Sequence, residues 1–370
     1  MKDLNDIMHV INLEAINLPE FREVRGKDWV SYRRRNLFPY KLVDLLNTSA
    51  IHGTAVNAKL DATIGEGIIE IGNQIVNAKG ETLNEIYERI AYDYIVFGGY
   101  ALNPIWNRAG DAVVELYHVP FACVRSGKLN EMDEVEEYFY SSDWGNVRKY
   151  VPVRYRSYST TDNKGDDASQ IFYYYDYTPS SAVYPLPTYM GAVNDIELDA
   201  RISKFHNANI SNGMSPSLLI NLPNGVPTPD EQRKIHQDLN DSFSGENNAG
   251  RVFLTFSDGA DRAPQLTPVQ SANDSYYVVL EERIASRILT AHRITSPLLI
   301  GIRDGGGLGN NAQEIEVAYT HFQSSVIQPI QKSLNKSLGR VTRQMGIEQP
   351  IAIEPSKLDF TDNIEEITAE

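Results

Sequence analysis

The most regular run of apolar positions lies in the last third of the chain. Ile315, Ala318, Tyr319, Phe322, Val326, Ile330, Leu334 and Leu338 fall on one helical stripe, mostly at steps of three and four. The stripe predicts a long amphipathic helix starting at Asn311, whose side chain can cap it, with Glu314 three residues on completing a capping box. At 1.5 Å per residue this helix is about 40 Å long. Pro329 falls inside it and predicts a kink. Ahead of the helix, Gly305, Gly306, Gly307 and Gly309 form a loop with almost no intrinsic conformation.

Earlier patterns alternate between helical and β character. Residues 37–63 read as one helix ending near Gly65 and Gly67, and a second helix spans Leu83 to Phe97, ending at Gly98-Gly99. Within 111–177 the short runs "VEEYFYSS", "PVRYRSYS" and "QIFYYYDYT" predict an antiparallel meander. Its tyrosines, among them Tyr138, Tyr155 and Tyr173 to Tyr175, are expected to pack on the strands with their hydroxyls at the surface. After the proline-rich "YPLPTYMG", helical spacing resumes near Asp195 with Leu198, Ile202 and Phe205 on one side, and stops near Asn212-Gly213. Residues 214–272 hold a strand "PSLLINL", a helix from Pro229 to Phe243 and a strand "RVFLTFS". A further helix spans 276–294, with Tyr277, Leu280, Ile284, Ile288 and Ala291 on one face. The order is helix, small α/β block, helix, glycine loop, long helix. A loop without fixed shape on a long strut suggests a machine part before an enzyme.

Composition narrows the class. At 370 residues, 42% hydrophobic and 22% charged, the chain is long and apolar enough to bury a sizeable core. One cysteine, Cys123, excludes an intramolecular disulfide, and its β-prone surroundings read as core. Asp3, Asp6 and Glu14 make the start a poor signal peptide, and no apolar run is long enough to predict a membrane span. Net charge is −15, from 49 acidic and 34 basic residues, the opposite of what a protein gripping DNA phosphates carries. It suits a soluble acidic protein with no nucleic-acid role, the exception being a protein that must let DNA pass without sticking. Residues 354–370 hold six acids against Lys357 and are expected to be a frayed or short capping segment.

No catalytic, metal or cofactor constellation is legible. Gly309 is followed by Asn310-Asn311 where a P-loop needs Gly-Lys-Ser/Thr. His9, His52, His118, His206, His236, His292 and His321 are scattered without metal-ligand spacing, and no serine lies in a G-x-S-x-G elbow. Arg33-Arg34-Arg35, with Arg22, Arg25 and Lys27, is the one basic cluster. Arg283 and Arg287 are expected to pair with acids such as Asp195 or Asp199.

The ordered set "YPLPTYMGAVNDIELDARISKFHNANISNGMSPSLLINLPNG", "SGENNAGRVFLTFSDG" and "LEERIASRILTAHRITSPLLIGIRDGGGLGNNAQEIEVAYTHFQSSVIQPIQKSL" resembles the portal proteins of tailed bacteriophages. The resemblance covers most of the chain and is strongest from Tyr184 onward. It implies an α+β fold of portal type: a mixed α/β wing at 1–192, stem helices at 193–212 and 274–294, and a small α/β clip between them at 213–273. It further implies a tunnel loop at 295–311, a long wing helix at 312–340, and a short crown or tail at 341–370. Such a protein is not an enzyme and needs no cofactor. It forms a homo-oligomeric ring, usually twelve-fold, at one capsid vertex of the virion, assembled in the host cytoplasm without a membrane. Double-stranded DNA passes through non-specifically during packaging and ejection. The implied partners are the major capsid protein, the terminase large subunit and a head–tail adaptor. Arg303, Gly305, Gly306, Gly307, Gly309 and Asn310 would face the DNA; Arg303 meets either phosphate or an acid such as Asp304 or a neighbouring subunit. Two other readings of the residues are a cytoplasmic enzyme whose glycine loop is an active-site lid, and a different ring-forming head–tail connector.

Overall fold

The computed structural model describes residues 21–23, 26–33, 35–161, 163, 168–179, 183–211, 218–222, 227–243, 252–256, 274–301 and 312–356. The chain divides into two units, one of Met1–Ile196 with Arg287–Glu370 and one of Glu197–Ser286. The first begins with β1 (Phe21–Glu23) antiparallel to β2 (Val30–Tyr32), then α1 (Phe38–Thr48), α2 (Ala50–Ile64), β3 (Gly67–Ile68) and α3 (Leu83–Phe97). The single helix expected over 37–63 is two helices. Ser49 adopts extended backbone between them, its N–H closes α1 on the Leu45 carbonyl, and its hydroxyl accepts from His52 N to open α2.

Helix α3 is bounded as its sequence predicts, and the reasons are local. Thr82 Oγ accepts from Glu85 N at 3.3 Å while the Glu85 carboxylate accepts from Thr82 N at 2.6 Å. Gly98 ends it at φ 84°, and a Cβ there would lie 2.7 Å from the Leu186 carbonyl oxygen, so both conformation and space require glycine.

Next come β4 (Gly99–Trp106), β5 (Val113–Val119), β6 (Val124–Ser126), β7 (Glu137–Tyr140), β8 (Val153–Ser157) and β9 (Gln170–Tyr175). They form a sheet in the order β5-β4-β9-β8-β7-β6. The meander expectation holds for β6, β7 and β8, but β9 returns between β8 and β4 and runs parallel to β8. Long-range pairing of this kind leaves no mark in local sequence. The tyrosine expectation also needs correction: in the meander Tyr138 is buried and the Tyr173 hydroxyl is shut off from water, and other phenols around the sheet are fully buried with their hydroxyls bonded inside. Tyr32 donates to the Pro185 carbonyl at 2.7 Å, Tyr184 to Val30 at 2.5 Å, Tyr189 to Val96 at 2.6 Å and Tyr100 to Ser337 at 2.7 Å. Burial raises all four above the ordinary phenol range, so they are neutral donors at any working pH. Cys123 ends a 3₁₀ turn and is half-buried, not a strand core residue.

After β9 the chain passes through a 3₁₀ turn at Met190–Ala192 into α4 (Val193–Ser211). The second unit then holds β10 (Leu218–Leu222), α5 (Pro229–Phe243) and β11 (Val252–Phe256). β10 and β11 pair in parallel with α5 as the crossover, a βαβ arrangement. Thr228 opens α5, its N–H and hydroxyl both donating to the Glu231 carboxylate at 2.9 and 2.7 Å. α6 (Asp274–Ala291) leads back into the first unit.

The long helix is present as α7 (Ala312–Phe322), a π-helical turn at Gln323–Ile327, and α8 (Gln328–Thr342). The kink expected at Pro329 is thus met by a widened turn just before it. Gln328 N donates to Gln323 O five residues back, and Pro329, which has no N–H to give, falls in the first turn of α8. The wider turn lets consecutive Val326 and Ile327 both be buried, although Ile327 lies off the sequence stripe. Leu334, Leu338 and Val341 of α8 then pack with Leu83, Ile86, Tyr87 and Ile90 of α3 and with Tyr100, Leu116 and Phe172 of the sheet. Full burial of such side chains stabilises by about 1.5–3 kcal/mol each.

Residues 341–356 pack into this body. Val341, Ile347 and Ile351 are in the same core, and β12 (Ile353–Glu354) pairs antiparallel with β3. The proposed tail beyond residue 356 lies outside the described residues.

Candidate functional site

Helices α4 and α6 bury one set of apolar side chains and expose another. On α4, Val193, Ile196, Ala200 and Ile202 are buried, whereas Leu198 is 38% and Phe205 45% exposed. Of the expected stripe, Ile202 is buried while Leu198 and Phe205 are exposed. On α6, Ile284, Ile288 and Leu289 are buried while Val278 and Val279 are 52% and 62% exposed. Arg287 Nη1 lies 3.1 Å from Asp195 Oδ1 in the first unit, the partner its spacing predicted. In the second unit, His206 Nε2 lies 3.2 Å from Glu281 Oε1. Arg283 is exposed. Both ion pairs are open to water and are worth well under about 1 kcal/mol each.

The C-terminal end of α6 meets the body at a buried polar cluster. Leu289 and Ile294 pack with Ala55 of α2 and with Phe322, Val326 and Ile327. Beside them His52 Nδ1 and His292 Nε2 are 2.9 Å apart, and both rings are fully buried. The Tyr189 ring stacks on His292, centroids 5.0 Å apart at 22°, and lies 4.5 Å from His52. Lys59, one helix face along from His52, is also buried. Burial, with Lys59 nearby, pushes His52 down to about 4; burial, Lys59 and His52 push His292 down to about 2. Burial and the charge of Arg293 bring Lys59 down to about 8. Both imidazoles are thus neutral at pH 7.

Beyond this cluster the chain turns by a Schellman closure. Arg293 N donates to Thr290 O at 2.9 Å and Ile294 N to Leu289 O at 3.0 Å, with Arg293 left-handed at φ 60°. Ser296 then accepts from Leu298 N at 3.4 Å to open a 3₁₀ turn at Pro297–Ile300, which Gly301 ends at φ 77°. Arg303, Gly305, Gly306, Gly307, Gly309 and Asn310 lie outside the described residues, as do Asn311 and the expected capping box.

The basic cluster is not one open patch. Arg33 is left-handed at φ 63°, and its guanidinium lies over the Phe38 ring at 3.9 Å, half-buried. Arg35 is exposed, and Arg34 lies outside the described residues. The arginine that organises this region is Arg125, which sequence reasoning passed over. Fully buried, it donates to Asn36 Oδ1 at 2.7 Å, Asn36 O at 2.8 Å, Ala122 O at 2.9 Å and Val124 O at 2.7 Å. Its charge is met by carbonyl dipoles and by the faces of Trp144 and Tyr32, which fasten the Arg33–Asn36 turn to β6.

Among the described residues no group of three or more His, Cys, Asp or Glu could hold a metal ion, and no helix is long and apolar enough to cross a membrane. A family model for phage portal proteins matches residues 78–365, most of the chain. The chain belongs to the phage portal protein family. That family and its fold are structural rather than enzymatic. This portal protein is 25% identical over 316 residues to an uncharacterized protein of Rickettsia bellii (strain RML369-C), covering 84% of this chain and 75% of that one. It is 19% identical over 255 residues to the probable portal protein of Escherichia phage P2, covering 69% and 67%. Its fold is that of a chain in the virion of a native gene transfer agent particle, with TM-score 0.55, 19% identity and coverage of 88% and 86%. A chain from the neck of the native particle, computed with C12 symmetry, gives 0.53 at 19% identity and the same coverage.

Proposed function

We propose that this portal protein assembles into a closed ring, twelve-fold in the virion, through which double-stranded DNA is packaged and ejected at one capsid vertex. The family match over 78–365 carries this reading, and the likeness to a chain of a neck with C12 symmetry supports the ring number. The chain's own contribution is a set of apolar side chains left outward on α4 and α6, a burden that head-to-tail neighbours would relieve. In this reading 1–192 with 312–340 is the wing, 193–212 and 274–294 are the stem, and 213–273 is the clip. The clip docks the terminase large subunit and later the head–tail adaptor, while the wing, including Arg33, Arg34 and Arg35, meets the major capsid protein or the next subunit. The ring acts without catalysis or cofactor, and it is built in the host cytoplasm.

Contact with DNA falls to the tunnel loop 295–311, with Arg303 among Gly305, Gly306, Gly307, Gly309 and Asn310 as the group that meets phosphate. At −15 per chain the ring repels the backbone it encloses, so DNA slides and binds without sequence preference. Native mass spectrometry with electron microscopy of the purified chain tests this. Closed rings are expected; a folded monomer or dimer at every concentration would overturn it.

A further inference from the structure

We propose that His52, His292 and Tyr189 form an acid-labile latch that fastens the C-terminal end of α6 to α2, and that two protons open it. The latch rests on geometry within the first unit and stands whether or not the chain works as a ring.

One shared proton holds the pair. With the ring nitrogens 2.9 Å apart, one must carry hydrogen and the other a lone pair, so the two rings cannot both be charged. His52 Nε2 and His292 Nδ1, the outer nitrogens, are buried with no hydrogen-bond partner among the described residues. A first added proton can be tolerated, because the charged ring still donates to its neighbour. A second sets N–H against N–H and breaks the bond.

Among the described residues no anion is found acting on either ring. The charged groups acting on the pair are Lys59 of α2, on both rings, and Arg293 after α6, acting on Lys59; both are cationic. Tyr189, from the turn before α4, presents an aromatic face, and its hydroxyl is committed to Val96 O. The turn being fastened is itself strained: Arg293 occupies at φ 60° the Schellman position that glycine usually fills. A turn held against its own preference will let go when the contacts beside it fail.

The sign follows from linkage. Each histidine is depressed in the folded state from 6.5, to about 4 for His52 and about 2 for His292. Their stabilisation is therefore complete above about pH 6.5 and is lost as pH falls toward those values. Between pH 7.5 and pH 5 each ring favours opening by roughly 30-fold, and the two together take up nearly two protons.

Hydrogen exchange on the full-length chain, read as protection factors against pH, tests this. Amides of 288–301 should lose protection with a slope near two per pH unit around pH 5, while those of 334–341 stay protected. His292→Gln should reduce the slope to about one, and His52→Asn with His292→Gln should remove it. A wild-type slope below one would overturn the latch, as would loss of 288–301 and 334–341 in step. So would a double variant that opens as wild type does. If the double variant fails to fold, the wild-type slope alone decides.

Discussion

Helices α8 and α6 are of similar length and are fastened in different ways. α8 buries Leu334, Leu338 and Val341 along its stripe, and its polar ties, among them Tyr100 to Ser337 at 2.7 Å, Tyr87 to Asn335 at 2.9 Å and Gln331 to the Thr63 carbonyl at 3.0 Å, join groups that do not titrate near neutrality. α6 is held at its C-terminal end by Ile288, Leu289 and a pair of neutral imidazoles, while Val278 and Val279 upstream face outward. The first helix is finished by its own chain. The second is finished partly by chemistry that depends on pH and leaves apolar surface for something else to cover. A part that stays fixed needs the first design, and a part that is to be joined to neighbours can use the second.

The largest break in this comparison is expected from Leu338→Ala. Leu338 is fully buried, so the loss combines transfer free energy with a cavity between α8 and α3. About 2–5 kcal/mol of unfolding free energy should disappear, equally at pH 6 and pH 8 because no titrating group is involved. Urea unfolding at the two pH values checks this. A loss that differed by more than about 1 kcal/mol between them would show that a titrating group takes part in holding α8.

Lys59 sharpens the same contrast at smaller scale. It is buried beside the histidines and brought down from 10.5 to about 8. A depressed folded value means stability is complete above about pH 10.5 and is lost as pH falls through 8. Raising pH from 7 to 9 should then stabilise the first unit by about 1 kcal/mol. Lys59→Met should abolish that gain. It should also shift the acid opening of 288–301 downward in pH, since without that cation the closed state takes up protons on the two rings more readily and the gap to 6.5 that drives opening narrows. Thermal melts and hydrogen exchange across pH 5–9 read both effects, and an unchanged opening midpoint in Lys59→Met would remove lysine from the account.

How much of this was legible in the sequence depends on the distance over which each feature is determined. The bounds of α3 and α5 could be read because Thr82, Glu85, Gly98 and Pro229 act on their immediate neighbours. Ser49 carried an equally local signal, an N-cap hydroxyl three residues before His52, but the continuous apolar pattern across 37–63 masked it. The insertion of β9 between β4 and β8 could not be read, because pairing across a sheet is settled by the whole fold. The same holds for the histidine pair, whose members are 240 residues apart and share no motif. Tyrosines were assigned to the surface on their hydroxyls; the acceptors that allow burial, such as Pro185 O and Val96 O, are backbone atoms without sequence identity. The stripe on α4 is buried only at Ile202, because periodicity marks an apolar face, not which of its residues are covered. The tunnel-loop residues lie outside the described residues, so their role rests on the family alone.

The smallest expected effect on the chain itself separates the two helices most cleanly. Val279 is 62% exposed, so Val279→Ser removes little buried area and should change unfolding free energy by no more than about 0.5 kcal/mol. In the ring reading this side chain is covered by a neighbouring subunit, and in twelve copies the loss repeats at every interface. Assembly should therefore weaken, with rings giving way to free chains at concentrations where the wild type is fully assembled. Leu338→Ala predicts the reverse order, a destabilised chain whose outward face on α6 is unchanged. Unfolding and native mass spectrometry on both variants give a two-by-two comparison. If Val279→Ser destabilised the isolated chain as much as Leu338→Ala, the outward face of α6 would belong to the chain's own core. If it left both chain and ring untouched, the subunit interface would have to be sought on other surfaces, with Phe205 and Leu198 of α4 the next to be changed.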